Sequence, residues 1–378
     1  MSVLSAPGVI SFARGIPAPE MFPADELAEA SRQAFRKHSA TALNYGAPGG
    51  FRPLQEWLAS LHGAAPGQVV IGPGSFMLLG LLVRVLAPAP RPVLVEAPSY
   101  DRMARLLRQS GTSAVPVRRG RDGIDLAGLE DYLRTGERPA FMYVMPTFHN
   151  PSGTTLPPPD RERLADLAVR YQLLLIEDDP YGLLRFEGES PASMRSLLLA
   201  RGAGHLSVFT SSFSKIIAPG LRVGYAVLPE SLAEPVASMA MDTYVSPPLW
   251  PQAEVYEFLA AGFLPPHLSR VRELLRLRRD ALTDRLSAGL HGRAHWSTPE
   301  GGYFLWLELP DGLGAADLLA DCESAGVTFV AGPGFFPAGG GENGARLSFS
   351  FPAVDDIRIG ADRLVAAVRN RLAAAGAR

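Results

Sequence analysis

The middle of this chain consists of short, continuous apolar runs that alternate with segments of helical pattern, and this alternation constrains the fold more than any other feature. The apolar runs fall at residues 92–96, 140–146, 173–179, 206–212 and 223–228. Helical patterns, such as that of residues 159–172, lie between them. Strands that are apolar on both faces are typical of a largely parallel sheet covered by helices on both sides. The pattern therefore predicts an α/β fold with a large, mostly parallel sheet.

The C-terminal part of the chain has a different pattern. A long amphipathic segment at 267–289 leads into strand-like runs at 302–309 and 345–351 and helix-like segments at 313–326 and 355–375. This mixture predicts a smaller α+β domain. We expect three regions, namely an N-terminal segment (1–40) that packs with the small domain, a large domain (41–266), and a connecting helix with the small domain (267–378).

Composition excludes several classes of function. The formal net charge is −2, and the densest basic run, at 270–280, is interleaved with acids and leucines at helical spacing, so no nucleic-acid partner is expected. Cys322 is the only cysteine and no histidine lies near it at metal-ligand spacing, so neither a disulfide nor a metal site is predicted. The longest apolar stretch, at 76–83, is too short to span a bilayer, and the N-terminus lacks the pattern of a secretion signal. We expect a cytoplasmic protein without membrane association.

Lysine is almost absent from a chain that otherwise uses arginine as its cation. Only Lys37 and Lys215 are lysines among the 36 Lys and Arg residues. An amine can lose its proton near neutral pH and attack a carbonyl to form an imine, whereas a guanidinium cannot. Ser212, Ser214 and Arg222, close by in sequence, could hold a phosphate group of the same ligand. These neighbours favour covalent chemistry at Lys215 over an incidental surface lysine, which is our interpretation of Lys37.

Three polar clusters follow or precede predicted elements at the sheet edge where ligands bind in α/β proteins. They are "GPGSF" (72–76), "NPSG" (150–153) and "EDDPYG" (177–182). The glycines of the first could present backbone N–H groups to an anion, although Gly-Pro turns before helices are common. An acid of the third could keep a pyridine nitrogen protonated, and could equally be a solvated loop acid. Asn150 could contact a ligand or merely form the turn.

Together these features describe pyridoxal phosphate, with an amine for its aldehyde, an acid for its ring nitrogen, and Ser and Arg side chains for its phosphate. At this point the sequence resembles the fold-type I pyridoxal-phosphate-dependent aminotransferases (class I/II), most closely the branch of the aminoadipate and kynurenine aminotransferases. The motifs, in the family's order, are "ISFARGIPAPEMFP" (10–23), "NYGAPGGFRPL" (44–54), "GPGSF", "EAPSYD" (96–101), "PTFHNPSG" (146–153), "IEDDPYG" (176–182), "SSFSKIIAPGLRVGY" (211–225), "PEGGYFLW" (299–306) and "GARLSFSF" (344–351). The resemblance implies a large domain with a mostly parallel seven-stranded sheet covered by helices, plus a smaller α+β domain.

The resemblance also implies roles for catalytic and cofactor-binding residues. Lys215 would hold the cofactor as an imine and then carry a proton between the substrate α-carbon and the cofactor. Asp178 would pair with the pyridinium, and Tyr100 would stack on the ring. Tyr181 and Asn150 would hydrogen-bond the ring oxygen. The phosphate would be held by Gly74, Ser75, Phe76, Ser212, Ser214 and Arg222, and by Tyr45 reaching over from the other subunit of a homodimer.

On the substrate side, Arg346 would hold the α-carboxylate, with Asn150 beside it. Arg14 and Gly15 lie in a segment that lines the side-chain pocket of the family, where the relatives carry Gly-Gly. The Arg14 guanidinium could recognise a distal carboxylate or could point to solvent. Phe76 stands where relatives often have a glutamine, so that only a backbone contact to the phosphate is expected there.

The implied activity is exchange of the amino group between an L-amino acid and a 2-oxo acid, expected to be 2-oxoglutarate, in a ping-pong reaction through pyridoxamine phosphate. The candidate donors are 2-aminoadipate, glutamate, and aromatic or branched-chain amino acids. Two alternatives stay open. A pyridoxal-phosphate-dependent carbon–sulfur lyase needs the same core residues, and a non-catalytic cofactor-binding body occurs in some DNA-binding regulators. We rank the regulator lower, because the sequence begins at the first family motif.

Overall fold

A computed structural model describes residues 8–87, 91–121 and 123–376. Its strands are β1 (Ile10–Ser11), β2 (Val69–Gly72), β3 (Val93–Ala97), β4 (Ala114–Gly120), β5 (Gly123–Ile124), β6 (Phe141–Val144), β7 (Leu175–Asp178), β8 (Ser207–Ser212), β9 (Gly224–Val227), β10 (His295–Trp296), β11 (Phe304–Glu308), β12 (Val327–Thr328), β13 (Val330–Ala331) and β14 (Gly344–Ser348). Its helices are α1 (Ala24–Ala42), α2 (Arg52–His62), α3 (Ser75–Leu86), α4 (Asp101–Gln109), α5 (Leu126–Arg134), α6 (Pro158–Tyr171), α7 (Met194–Ala200), α8 (Glu230–Tyr244), α9 (Leu249–Ala260), α10 (Leu264–Leu290), α11 (Ala315–Ser324) and α12 (Val354–Gly376).

The large sheet has the strand order β2-β9-β8-β7-β6-β3-β4-β5. The five strands from β8 to β4 run parallel to one another, and β2 and β9 are joined to them through antiparallel pairing of β9 with β8. The predicted α/β fold with a mostly parallel sheet is confirmed. The sheet has eight strands rather than the expected seven, because the chain folds back after β4 and the two-residue strand β5 pairs antiparallel with its end.

Both faces of this sheet are buried, which explains why its strands read as continuous apolar runs. In β6, Phe141 and Tyr143 belong to one apolar core, whereas Met142 and Val144 belong to a second core on the opposite face. Side chains alternate between the two faces of a strand, so the central strands must supply apolar groups on both faces. Helices cover both faces of these central strands, so ligands reach them at the strand ends.

Local signals fix where several helices begin and end. Asp125 precedes α5 and its side chain accepts a hydrogen bond from the Gly128 N–H at 2.9 Å, which satisfies one of the free donors of the first turn. At the start of α7, the Ser193 hydroxyl likewise accepts a hydrogen bond from the Ser196 N–H at 3.0 Å. At the other end of a helix, α2 stops at Gly63, which has a left-handed backbone with φ of 58°.

The C-terminal part forms a second, antiparallel sheet with the order β10-β11-β14-β13, and α10 and α12 pack against each other beside it. The N-terminal segment contacts both parts of the molecule. Strand β1 pairs with β12 of the C-terminal part, whereas α1 packs against α9. The domain limits at residues 40 and 266 stay a prediction. Within the described part of the chain, no helix is both long and apolar enough to cross a membrane.

Candidate active site

A cavity opens at the carboxyl edge of the large sheet, where parallel strands place the residues that follow them. Strand β7 ends at Asp178, β8 ends at Ser212, and the loops after β3 and β6 carry Tyr100 and Asn150. The cavity is lined by Gly74, Ser75, Phe76, Leu79, Tyr100, Met145, Asn150, Asp178, Pro180, Tyr181, Ser212, Ser214, Lys215, Pro219 and Arg222. The structure therefore brings together every predicted cofactor-binding residue except Tyr45.

Lys215 lies in the turn that follows β8, and its backbone is tied down, because the Tyr303 hydroxyl donates to the Lys215 carbonyl at 2.8 Å. Its Nζ donates to the carbonyl of Gly15 at 2.7 Å. Burial, assisted by the positive charges of Arg346, Arg222 and Arg102, lowers the pKa of this amine to about 8. A lysine with such a pKa has an appreciable neutral fraction near physiological pH, so it can act as a nucleophile or a base.

Asp178 is buried at the end of β7, with 3% of its surface exposed. The Tyr143 hydroxyl donates to its Oδ2 at 2.6 Å, and the Thr210 hydroxyl donates to its Oδ1 at 3.0 Å. Burial raises the pKa of Asp178 to about 6, although these two hydrogen bonds oppose the rise. Within the described residues, no Lys, Arg or His forms an ion pair with this carboxylate. A buried carboxylate that lines a cavity without a cation is suited to a cationic ligand atom.

The loop before α3 and the turn after β8 form the opposite wall. Gly74 has a φ of 93°, and a Cβ at this position would clash with the Arg222 guanidinium. Arg222 donates to the Ser214 hydroxyl at 3.4 Å, and the Ser212 hydroxyl donates to Ser214 Oγ at 2.9 Å. Helix α3 starts at Ser75, so its first backbone N–H groups have no partner within the helix. Hydroxyls, a guanidinium and free N–H groups are the donors that hold a phosphate.

Arg346 projects from β14 and links the small domain to this cavity. Its Nη1 donates to Asn150 Oδ1 at 3.0 Å and its Nη2 donates to the Ala13 carbonyl at 3.0 Å, whereas its buried Nε has no hydrogen-bond partner. The guanidinium stacks on Phe304, 4.3 Å from the ring centroid. A guanidinium with donor capacity to spare beside Asn150 is suited to a carboxylate ligand.

Tyr100 and Tyr181 supply aromatic walls. Tyr100 is the residue before α4, and its ring lies 6.4 Å from the ring of Phe76 in an edge-on arrangement. Burial raises the pKa of its hydroxyl to about 12, so the phenol stays protonated. Tyr181 is buried against Tyr303, with ring centroids 5.3 Å apart. Both phenols are therefore neutral hydrogen-bonding groups in the cavity.

Two predicted residues lie apart from this cavity. The Arg14 guanidinium sits 4.7 Å from the ring centroid of Phe351, in a separate groove that also contains Asp356 and Arg363. This placement favours the second of the two interpretations of Arg14, in which its side chain does not face the substrate. Tyr45 is 84% exposed and lies outside the cavity of its own chain. Gly15 contributes its backbone carbonyl, through the hydrogen bond from Lys215.

Several residues that complete the site were missed by sequence reasoning. Tyr143 and Thr210 hold Asp178, and Tyr303 holds the Lys215 backbone. Gly224, the first residue of β9, lies so close to the Gly74–Ser75 backbone that a Cβ would clash with it. All of these residues lie inside strand-like runs, where the pattern indicates only core packing.

Comparison with known proteins places the chain in a family. The sequence model of the family "Aminotransferase class I and II" matches residues 7–336. A 2-aminoadipate transaminase of Thermus thermophilus is 39% identical over 99% of this chain and 93% of its own length. An aromatic-amino-acid aminotransferase of Thermococcus litoralis is 30% identical over 98% of this chain and 91% of its own length.

Solved structures agree in fold. The α-aminoadipate aminotransferase LysN of Thermus thermophilus, in complex with N-(5'-phosphopyridoxyl)-L-leucine, is 36% identical with a TM-score of 0.91, and the match covers 97% of this chain and 94% of that one. The kynurenine aminotransferase of Pyrococcus horikoshii is 29% identical with a TM-score of 0.92, covering 98% of this chain and 93% of that one. The predicted family and branch are confirmed.

The donor set of the cavity fits pyridoxal phosphate. Lys215 offers an amine of lowered pKa to the aldehyde. Asp178 offers the ring nitrogen a buried carboxylate that forms no ion pair with the part of the chain that the structure describes. Ser212, Ser214 and Arg222 offer their polar groups to the phosphate. When bound, this cofactor supplies a ring that accepts electrons from a carbanion. The chain therefore belongs to the class I and II aminotransferase family, in the branch of the aminoadipate and kynurenine aminotransferases, and is an aminotransferase that works with pyridoxal phosphate.

Proposed function

We propose that the chain transfers the amino group of an L-amino acid to 2-oxoglutarate in two half-reactions of ping-pong type. The observation that carries this proposal is the convergence, in one cavity, of an amine with a lowered pKa at Lys215 and a buried carboxylate without a cationic partner at Asp178. An amine that is neutral near pH 8 can take a proton from a carbon acid and return it, which is the proton movement that amino transfer requires.

The proposed reaction assigns a role to each of the main polar residues of the site. Lys215 Nζ would remove the proton from the substrate α-carbon and deliver it to the cofactor carbon that carries the substrate nitrogen. Asp178, when ionised, would keep the cofactor ring nitrogen protonated. Arg346 binds the substrate α-carboxylate through its guanidinium, next to Asn150, and this contact fixes which face of the substrate meets Lys215. Ser212, Ser214 and Arg222 anchor the phosphate.

For the amino donor, we propose 2-aminoadipate first and leucine or an aromatic amino acid second. The proposal is supported by the 2-aminoadipate transaminase and the aromatic-amino-acid aminotransferase among the relatives, and by the leucine adduct bound to LysN. Because the Arg14 guanidinium stacks on Phe351, we expect Arg14→Gly to change kcat/KM for 2-aminoadipate and for leucine by the same factor. A selective loss with 2-aminoadipate would instead assign Arg14 to recognition of the distal carboxylate.

The test is a panel of L-amino acids offered one at a time to the cofactor-loaded protein, with each half-reaction followed by absorbance. We expect conversion to the amino form of the cofactor with the proposed donors, and its reversal by 2-oxoglutarate. Release of pyruvate and ammonia from cysteine conjugates, without amino exchange, would favour the lyase and contradict this proposal.

We also propose that the active unit is a homodimer. Tyr45 (84% exposed), Leu43 (65% exposed) and Val245 (64% exposed) are exposed large side chains, and a hydrogen bond of 2.8 Å from the Gly46 N–H to the Ser246 hydroxyl joins their loops. Apolar side chains that are exposed together are typical of an interface. Tyr45 would then reach the phosphate site of the other subunit. A cytoplasmic location, with which the single buried thiol of Cys322 agrees, is part of the same proposal.

A further inference from the structure

Asp178 is held from both sides by its neighbours in the sheet. Strand β7 lies between β6 and β8, and Asp178 is aligned with Thr210 of β8. The Tyr143 hydroxyl of β6 reaches Oδ2 at 2.6 Å and the Thr210 hydroxyl reaches Oδ1 at 3.0 Å. Each carboxylate oxygen thus has one hydroxyl donor, Oδ2 from β6 and Oδ1 from β8, so that both the rotation and the charge of the carboxylate depend on these two hydroxyls.

Among the residues that the structure describes, none forms an ion pair with Asp178 or lowers its pKa through a positive charge. Asp179 follows it in the chain and opposes its ionisation. Tyr100 from the loop before α4, Tyr181 from the loop after β7 and Tyr143 from β6 are phenols whose pKa values are raised by burial. Burial therefore disfavours the ionised carboxylate, and the hydrogen bonds from the two strands are the interactions that favour it.

Tyr143 is an unusual residue for its position. It is fully buried within the apolar strand β6, where a phenylalanine would bury no hydroxyl. The hydroxyl donates to Asp178, and burial beside this acid raises the pKa of Tyr143 well above its usual value, which keeps the donor proton in place. The hydrogen bond to the Asp178 carboxylate offsets the free-energy cost of burying this hydroxyl.

We propose that Tyr143 is a positioning residue for the cofactor. Its hydroxyl keeps Asp178 ionised and fixes the direction of its free lone pairs, so that Asp178 can hold a protonated ring nitrogen. Tyr143 acts on the reaction through Asp178 and is not itself a catalytic residue. This inference rests on the role of Asp178 in the proposed function.

The test compares Tyr143→Phe with Tyr225→Phe. Tyr225 is a matched control, because it is a buried tyrosine of the same sheet whose hydroxyl meets His62 at 3.1 Å, outside the cofactor cavity. A hydrogen bond to a charged group is lost only in Tyr143→Phe. We expect the pKa of Asp178 in the cofactor-free protein, followed by the infrared band of its carboxylate, to rise by about one pH unit or more. We expect the dissociation constant of pyridoxal phosphate to rise by about tenfold or more, with KM for the amino donor little changed.

A double-mutant cycle separates positioning from general damage to the fold. In the background of Asp178→Asn, the additional change Tyr143→Phe should leave cofactor affinity unaltered, because the carboxylate on which the hydroxyl acts is gone. An effect of equal size in both backgrounds, or a Tyr143→Phe protein that matches Tyr225→Phe in both measurements, would overturn the inference. If Asp178→Asn itself keeps native cofactor affinity and activity, the proposed role of Asp178 fails as well, and the two failures are thus distinguished.

Discussion

At the scale of the residue, the site depends on two groups whose protonation is altered by burial in opposite senses. The pKa of Lys215 falls to about 8 and that of Asp178 rises to about 6. Desolvation destabilises whichever form carries charge, so one physical cause yields an amine that is more readily neutral and an acid that is less readily ionised. The hydrogen bonds from Tyr143 and Thr210 then limit the rise at Asp178.

The substitution Lys215→Arg tests the need for an amine. Arginine keeps the charge but cannot form an imine at any accessible pH, so we expect no cofactor to be fixed by borohydride and amino transfer to fall by about a hundredfold to ten-thousandfold or more. The control is Lys37→Arg, since the Lys37 side chain is 54% exposed and pairs with Glu257, away from the cavity. We expect that variant to keep native activity. A Lys215→Arg protein that still fixes the cofactor would contradict the assignment.

The lowered pKa of Lys215 also predicts a pH dependence. Only the neutral amine attacks the aldehyde, and the neutral fraction rises as the pH increases through the pKa. The rate at which the cofactor-free protein binds pyridoxal phosphate covalently, followed by visible absorbance, should therefore increase between about pH 7 and pH 9 and then level off. A rate that continues to rise beyond pH 10 would indicate an ordinary, solvated lysine.

At the scale of the element, the phosphate wall depends on the close approach of two segments. Strand β9 begins at Gly224, whose missing side chain allows the loop before α3 to lie directly against it. The antiparallel pairing of β9 with β2 fixes the chain as far as Gly72, where that loop begins. The position of the Gly74–Phe76 backbone is therefore set by the sheet rather than by the loop itself.

The substitution Gly224→Ala should move this loop. The added methyl group would overlap the backbone of Gly74 and Ser75, which can yield only by shifting away from β9. Overpacking of this kind costs about 1–3 kcal/mol, so we expect the dissociation constant of pyridoxal phosphate, measured by titration, to rise by about tenfold. The control is Gly220→Ala, because a Cβ at Gly220 would meet no atom within 4 Å. Equal affinities of the two variants would show that the loop does not depend on this contact.

The sequence predicts some strands of the large sheet and not others. Strands β3, β6, β7, β8 and β9 are predicted by their apolar runs, because burial on both faces leaves a clear pattern. Strand β4 was missed, since its burial alternates and it contains Arg118, Arg119 and a proline. The charged side chain of Arg119 is buried there because it pairs with Glu96, a tertiary contact that no local pattern reveals. Site residues were found where a motif carries them, and Tyr143 was missed because a tyrosine in a buried strand resembles ordinary core.

At the scale of the whole molecule, one chain leaves Tyr45 exposed to solvent and outside its own cavity. A homodimer of closed symmetry would place each Tyr45 at the cavity of the other subunit, so every site would be built from two chains. The sequence of one chain contains no pattern that reports such sharing. The prediction of a shared site rests on the family resemblance and on the exposed side chains around Tyr45.

Mixing two inactive variants tests the shared site. We expect Tyr45→Ala to weaken cofactor binding and Lys215→Ala to abolish covalent attachment. When the two proteins are unfolded together and refolded, a hybrid dimer carries both defects in one site and none in the other. The assay uses a cofactor concentration at which the Tyr45→Ala protein binds little cofactor. Under this condition we expect amino transfer in the mixture and almost none in either parent protein. A mixture no more active than its parents would contradict the shared site.

The hydrogen bond between Lys215 Nζ and the Gly15 carbonyl joins residues 200 positions apart in sequence. Gly15 belongs to the segment that also bonds the small domain, where the Ser348 N–H donates to the Phe12 carbonyl at 2.7 Å. A lysine nitrogen that is bound covalently to a ligand has fewer protons to donate, so we expect the hydrogen bond to Gly15 to weaken while Lys215 is bound and to re-form when it is released. The amine that is expected to react therefore also helps to hold the N-terminal segment, which is bonded in turn to β14 of the C-terminal sheet.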